Sequence, residues 1–322
     1  MELRTLRPEE REALLALLDA WDLGDGWRGR AFFRRYLEHD PTYRDANVHV
    51  AAEDGQLLSC VQIFPRRIRL GGGEVPVGGI GTVFTSAQAR RRGLAEALLA
   101  RAVEDMKGRG MELSLLFAAR IPWYTKLGWR SQPVRRTRLL GPGAPGPTGC
   151  APFDAERDLA AVRQLHQAYS GARDGSAVRD DALWRASLRN AGNPGEDFLV
   201  ARVAARVRAY ARATRLAGQR VLLEWGREPD AVDALADLVA RLAGAGAFAP
   251  DLDWDAPLAA ALAARGLARS EVTDPMGMWR CLDAAALARR LGHEPGPDEA
   301  PEELLQRALP ARGALYWLAD RF

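Results

Sequence analysis

The 322-residue chain is short of lysine, cysteine and histidine, and each shortage removes a class of explanation. Lys107 and Lys126 are its only lysines, although lysine and arginine together number 45. The 42 acidic residues leave a net charge of +3, and no long basic stripe interleaved with aromatics is present, so nucleic acid is not expected as a partner. Cys60, Cys150 and Cys281 are odd in number, far apart and in no C-x-x-C pair, which speaks against a disulfide framework and a structural zinc site. A reducing cytoplasm fits. His39, His49, His166 and His293 show no ligand spacing, so no metal is expected. No apolar run reaches the roughly 18 residues that a bilayer demands. The opening stretch, MELRTLRPEEREALLALL, alternates charge with leucine and lacks the apolar centre and cleavage site of a secretory signal. No membrane role is expected.

What the chain does have is the balance of a soluble globular protein, 48% apolar and 27% charged, at a length that suits two cores. GPGAPGPTG, from Gly141 to Gly149, forbids both helix and ladder and marks a seam. Before it, the periodicity predicts strands at Glu2–Leu6, Val48–Glu53, Leu57–Leu70, Val75–Thr85, Glu112–Phe117 and, closing the first half, Val134–Leu140. Helices are predicted at Pro8–Ala20, Gly29–Glu38, Arg92–Lys107 and around Tyr124. After it come helices at Ala155–Ala168, Asp180–Arg189 and Ala231–Leu242, with strands at Phe198–Val203, Val207–Ala213 and Val221–Trp225. YTKLGWRSQP (Tyr124–Pro133) is echoed by LAARGLARSE (Leu262–Glu271), each a short helix ending in glycine before a strand. One unit is therefore expected twice.

RRRGLAEALL, from Arg90 to Leu99, sets three cations where a helix begins, although a helix N-terminus already carries partial positive charge. A strand delivering TVFTS (Thr82–Ser86) into a turn, then arginine, glycine and helix, aims backbone N–H groups at a phosphate. Gly93 and Ala95 are small enough to let a diphosphate approach, and guanidinium groups add charge-assisted bonds. The plainer alternative is a solvated basic helix end. In the later half the matching turn reads Arg227, Glu228, Pro229, Asp230, which sets two carboxylates where phosphate would sit and offers no glycine.

Residues 1 to 140 resemble a GCN5-related N-acetyltransferase (GNAT) domain. The family signature R/Q-x-x-G-x-G/A is filled by Arg90, Gly93 and Ala95, and its second landmark, an aromatic before glycine and a further aromatic, reads WYTKLGW with Tyr124, Gly128 and Trp129. The wider layout resembles the Eis-type acetyltransferases, in which a working GNAT domain is followed by a degenerate one and then by a sterol-carrier-like domain. Only 39 residues follow Asp283, too few for that third domain. The resemblance implies an α/β fold of tandem GNAT domains, each a mixed, mostly antiparallel sheet flanked by helices. The expected division is a catalytic domain at 1–140, a linker at 141–149, a degenerate copy at 150–283 and a tail at 284–322 that docks toward the active site.

Carried over position by position, the resemblance lays Val83, Phe84 and Thr85 along the pantetheine of acetyl-CoA. It sets Arg90, Arg91, Arg92, Gly93, Leu94, Ala95 and Glu96 around the pyrophosphate, and Ala119 and Arg120 beside the acyl end. It implies an acetyl-CoA-dependent N-acetyltransferase acting on a primary amine of a small molecule or peptide. A homo-oligomer is compatible with it. The other reading is an acetyl-CoA-binding regulatory or interaction protein without turnover. Tyr124, with a phenol of ordinary pKa about 10, suits protonation of the departing thiolate; packing against Trp123 and Trp129 is the alternative. ALYWLADRF ends the chain with anchoring aromatics, and the Eis-type proteins place a terminal phenylalanine carboxylate as base, which makes Phe322 the candidate. Trp21, Trp27, Phe32, Phe33 and Tyr36, with Asp22 and Asp25, either line a pocket for a cationic amine or pack as ordinary helix contacts.

Overall fold

The computed structural model describes residues 1–24, 27–190, 196–216, 218–292, 300–310 and 314–321, without the side chains of Trp27 and Asn190. Phe322, Asp25 and His293 therefore lie outside the described residues. In chain order the first half runs β1 (Glu2–Thr5), α1 (Arg11–Asp19), β2 (Asp22–Gly24), β3 (Trp27–Arg28), α2 (Gly29–His39), β4 (Val48–Glu53), β5 (Gln56–Leu70), β6 (Gly73–Thr85), α3 (Leu94–Gly108), β7 (Leu113–Phe117), α4 (Ile121–Lys126), β8 (Arg130–Ser131) and β9 (Val134–Leu140). The second runs β10 (Cys150–Pro152), α5 (Ala155–Ser170), α6 (Asp181–Asn190), β11 (Asp197–Val203), β12 (Arg206–Leu216), β13 (Gln219–Arg227), α7 (Val232–Ala243), β14 (Gly246–Pro250), α8 (Ala256–Ala264), β15 (Ala268–Asp274), β16 (Gly277–Cys281), α9 (Ala284–Arg290) and α10 (Pro301–Ala308).

Local chemistry accounts for many of these boundaries. Asp154, Asp255 and Asp283 each accept a backbone N–H three residues on, from Arg157, Leu258 and Ala286, and so open α5, α8 and α9. In α1, Leu14, Leu15 and Leu18 form one buried stripe on the first sheet. Asp237 on α7 accepts from the N–H groups of Gly146 and Thr148 at 2.9 and 3.2 Å, which moors the glycine- and proline-rich segment to the second half.

Two seven-stranded mixed sheets result, in the orders β1-β4-β5-β6-β7-β16-β8 and β10-β11-β12-β13-β14-β9-β15. They share one plan, antiparallel except for a single parallel pair, β6 with β7 and β13 with β14. This is the α/β tandem arrangement expected, with one correction. The strand read as closing the first half, β9, is hydrogen-bonded between β14 and β15 of the second sheet. Its counterpart β16 comes from the second half and lies between β7 and β8 of the first. Each sheet thus takes its sixth strand from the other half of the chain. Alternating apolar residues fit either sheet, and only packing distinguishes them: Met278 (0% exposed) packs on the α3 side while Trp279 fills the opposite face.

The exchange predicts that Met278→Ala destabilises the first sheet although it lies far along the chain from it. The expected loss is about 2–5 kcal/mol, the usual scale for emptying a fully buried large apolar site. Urea unfolding followed by tryptophan fluorescence checks it.

Candidate active site

The site begins where two strands part. β6 and β7 pair only from Val77 to Gly79 against Leu113 to Leu115. Beyond that both continue, β6 to Thr85 and β7 to Phe117, without pairing to each other. Thr82, with φ of 51°, bends β6 next to a register shift against β5. The fork is fixed from inside: Ser114 Oγ donates to the carbonyl of Gly78 at 2.9 Å, and the indole N–H of fully buried Trp129 donates to Ser114 Oγ at 3.2 Å. Gly78 is required by close approach, because a Cβ there would stand 2.0 Å from Met106 Sδ on α3.

Val83, Phe84 and Thr85 occupy the free-running end of β6, half-buried. Phe84 stacks on Trp21 with centroids 5.5 Å apart, and Thr85 Oγ1 lies 2.8 Å from Ser59 Oγ. A turn then leads to α3. Arg91 has φ of 64° and Gly93 φ of 74°, both in the left-handed region that strains any residue but glycine. Gly93 is the N-cap, no side chain caps the helix, and nothing lies within 4 Å of where its Cβ would be. The first amides of α3, through Leu94, Ala95 and Glu96, are left for solvent or an anion.

The three arginines differ. Arg90 and Arg91 are exposed, and their guanidinium groups make no hydrogen bond or ion pair among the described residues. Arg92 is forked onto Glu53 of β4 at 2.9 and 3.0 Å, which holds that carboxyl below its ordinary value. Glu96 accepts from the indole N–H of Trp123 at 3.2 Å, tying the start of α3 to α4.

Ala119 and Arg120 follow β7, both exposed, and Arg120 is the N-cap of α4. Tyr124 sits edge-on to Trp123 and Trp129, with centroids at 4.7 and 6.3 Å. Burial pushes its phenol up to about 12, against the opposing pull of Arg120. Its hydroxyl has no hydrogen-bond partner among the described residues, so the proton it carries is uncommitted.

The aromatic group read as a pocket divides. Phe33 and Tyr36 are buried in the core under β5, whereas Trp21 and Phe32 are half-buried at its edge. Asp22 accepts from the N–H of Gly24 at 3.0 Å and serves its own turn. Asp25 and the Trp27 side chain lie outside the described residues. The tail does come to the end of β7, where the Arg321 guanidinium covers the Phe117 ring at 4.4 Å and Tyr316 lies 5.8 Å from the same ring. Asp320 anchors it to buried Arg179 at 2.5 Å, and Arg179 in turn holds Glu224 of β13. Phe322 itself is outside the described residues. In the second half the matching turn is closed by ion pairs: Arg208 takes both Glu228 and Asp230, and Arg227 takes Asp255 at 3.0 Å. Sequence reasoning passed over Glu53, which restrains Arg92, and Ser114, which fixes the fork; neither lies in a motif.

Residues 2–131 match the family model described as an acetyltransferase (GNAT) domain. An uncharacterized N-acetyltransferase of Streptomyces avermitilis is 29% identical over 148 residues, which is 42% of this chain and 35% of that protein. The matched stretch thus spans about a third of that relative's length. The matched residues build the first sheet except for β16, and this part of the chain is similar to GNAT acetyltransferase domains. A conserved protein of unknown function from Enterococcus faecalis, a probable N-acyltransferase, superposes with TM-score 0.68 at 17% identity, covering 89% of this chain and 74% of that one. Eis1 from Mycobacterium abscessus superposes with TM-score 0.61 at 19% identity, covering 89% and 76%. In fold, the chain is a tandem of two GNAT-like sheets, as these structural neighbours are.

Two glycines on this path separate space from strain. Gly78→Ala drives a methyl into Met106 and is expected to cost about 1–3 kcal/mol. Gly93→Ala meets open space and pays only the left-handed backbone, about 1 kcal/mol. Chemical unfolding of the two variants should preserve that order.

Proposed function

We propose that this chain transfers an acetyl group from acetyl-CoA to a primary amine of a small molecule or peptide, in the cytoplasm. The observation that carries the reading is the uncapped start of α3, with Gly93 open to solvent and Arg90 and Arg91 unpaired among the described residues, at the mouth of the gap between β6 and β7. GNAT domains use an acyl-CoA cosubstrate, and the residues present fit one. The amides of Leu94, Ala95 and Glu96 with Arg90 and Arg91 suit a pyrophosphate. The edge of β6 at Val83–Thr85 suits the amides of a pantetheine arm, as an added strand would.

The thioester, when bound, supplies an acyl carbon open to attack by a neutral amine. The chain's own contribution is to place charge and protons. Tyr124 holds a proton on its hydroxyl beside the acyl end, ready for a departing sulfur, and burial keeps it there. The direction matters for pH dependence. A phenol raised from its ordinary value to about 12 stays protonated through neutral and moderately alkaline solution. The rate should therefore show no fall near pH 10 from loss of this acid.

Tyr124→Phe is expected to lower kcat by about 10²-fold with acetyl-CoA affinity little changed. Arg90→Glu with Arg91→Glu should weaken acetyl-CoA binding by about tenfold or more without lowering Tm, since neither side chain has a partner to lose. Calorimetry and free-thiol release over a panel of polyamines, aminoglycosides and peptide amines provide the measurements. Binding without thiol release across the panel would favour a regulatory module instead.

A further inference from the structure

β7 ends at Phe117, and beside it opens a partly open cavity between the first sheet, β9 and the tail. Its walls are aromatic, from Phe117, Trp254, Trp279 and Tyr316. Its charged lining sets Arg135, Arg136 and Arg321 against Asp251 and Asp274. Arg136 of β9 and Arg321 of the tail both turn to one oxygen of Asp274, Nε of the first at 3.3 Å and a terminal nitrogen of the second at 3.0 Å. The other oxygen of Asp274 already accepts from the N–H of Met276 at 3.0 Å. One carboxylate oxygen therefore accepts from two guanidinium groups, the Asp251 charge also acts on Arg136, and burial lowers the pKa of both, that of Arg136 to about 10.

Donors remain over. The terminal nitrogens of Arg136 make no hydrogen bond among the described residues, and Arg321 Nε and Trp254 Nε1 are buried without an acceptor. Arg135, also on the wall, is engaged by Asp253 and Glu271. Asp251 accepts from the N–H of Asp253 at 3.1 Å and makes no hydrogen bond to Arg136 or Arg321 among the described residues. Buried donors without acceptors are costly, and an ionised carboxylate offers acceptor sites without bringing any donor of its own.

We propose that this cavity receives the acceptor by its carboxylate, so that the substrate is a small primary amine carrying both a carboxylate and an aromatic or apolar side chain, an amino acid in chemical class. The proposal rests on acetyl transfer at the neighbouring gap. Arg136 and Arg321 hold the acid group in forked charge-assisted bonds, and the aromatic walls take the side chain. This is the opposite of a site for polycations.

Phenylalanine, phenylalaninamide and spermidine are titrated calorimetrically into the unaltered chain with coenzyme A present. Phenylalanine should bind about tenfold or more tighter than its amide, because a site built for a polar group rejects the analogue lacking it. Arg136→Met should remove that discrimination, and Arg136→Lys should restore part of it. Equal affinity for acid and amide, absence of acid binding, or preference for spermidine overturns the proposal. The acid–amide comparison needs no variant and so decides the matter even if Arg136→Met fails to fold. Thiol release from parallel mixtures in which acetyl-CoA replaces coenzyme A keeps the two readings apart. Acid-selective binding without release leaves the cavity assignment standing and removes acetyl transfer; release with the amide as good as the acid does the reverse.

Discussion

The hydrogen bond from Trp129 to Ser114, and from Ser114 on to the carbonyl of Gly78, sits where the first sheet divides, and the geometry of the site follows from it. A parallel pair that stops after three residues leaves backbone groups on both strands without partners, a state normally closed by further pairing. Here closure is blocked from one face. Met106 of α3 fills the space over Gly78, and Trp129, fully buried, wedges α4 against β7. The helix carrying Tyr124 and the helix beginning at Gly93 are therefore set by the same contact. The first amides of α3 and the phenol cannot shift independently, because both are referred to one packed point.

That arrangement answers the electrostatic oddity of three arginines at a helix start. Gly93 turns the chain through a left-handed conformation so that no side chain shields the first amides of α3. Arg92 is neutralised by Glu53, and Glu96, the acid that would complement the helix dipole, is drawn to Trp123. Arg90 and Arg91 remain as uncompensated positive charge beside an uncapped terminus. Such a concentration is unfavourable by itself and becomes favourable only with an anion present. The second copy of the turn shows the alternative. There Arg206 and Arg208 engage Glu228, Arg208 also engages Asp230, and the turn is satisfied internally.

The longer helices and strands up to α7 were legible in the sequence to within a few residues, because apolar period and capping residues are local signals, whereas the short β2, β3, β8, β10 and β14, and β16, α9 and α10, were not read as elements. The left-handed turn at Gly93 and the start of α3 just after it were legible for the same reason, since glycine and arginine act within one turn of chain. Partner choice was not. Val134–Leu140 alternates well enough to close either sheet, and its place beside β14 depends on contacts with residues more than a hundred positions away. The aromatic group around Trp21 stayed open between pocket and packing for a related reason: helical spacing describes a face without saying whether that face is covered, and Phe33 and Tyr36 are. Arg136 carried no signal at all, being one arginine among many until β9 is placed.

The exchange of sixth strands also explains where the cavity lies. Only two residues separate β8 from β9, and only two separate β15 from β16, yet in each case the chain passes from one sheet to the other. The two crossings run side by side, joined by the bond from Ser131 Oγ to the carbonyl of Pro275 at 2.7 Å. Strands that leave a sheet at such a crossing cannot bring regular side-chain partners with them, so polar groups gather there: Arg136 from one crossing strand, Asp274 from the other, Arg321 from the tail laid across both. Phe117 stands at the same place because β7 ends against β16, whose neighbour in sequence is Asp274. A single independent GNAT sheet would have no such seam. The second copy, its own turn closed by ion pairs, thereby supplies a wall beside the end of β7 in the first.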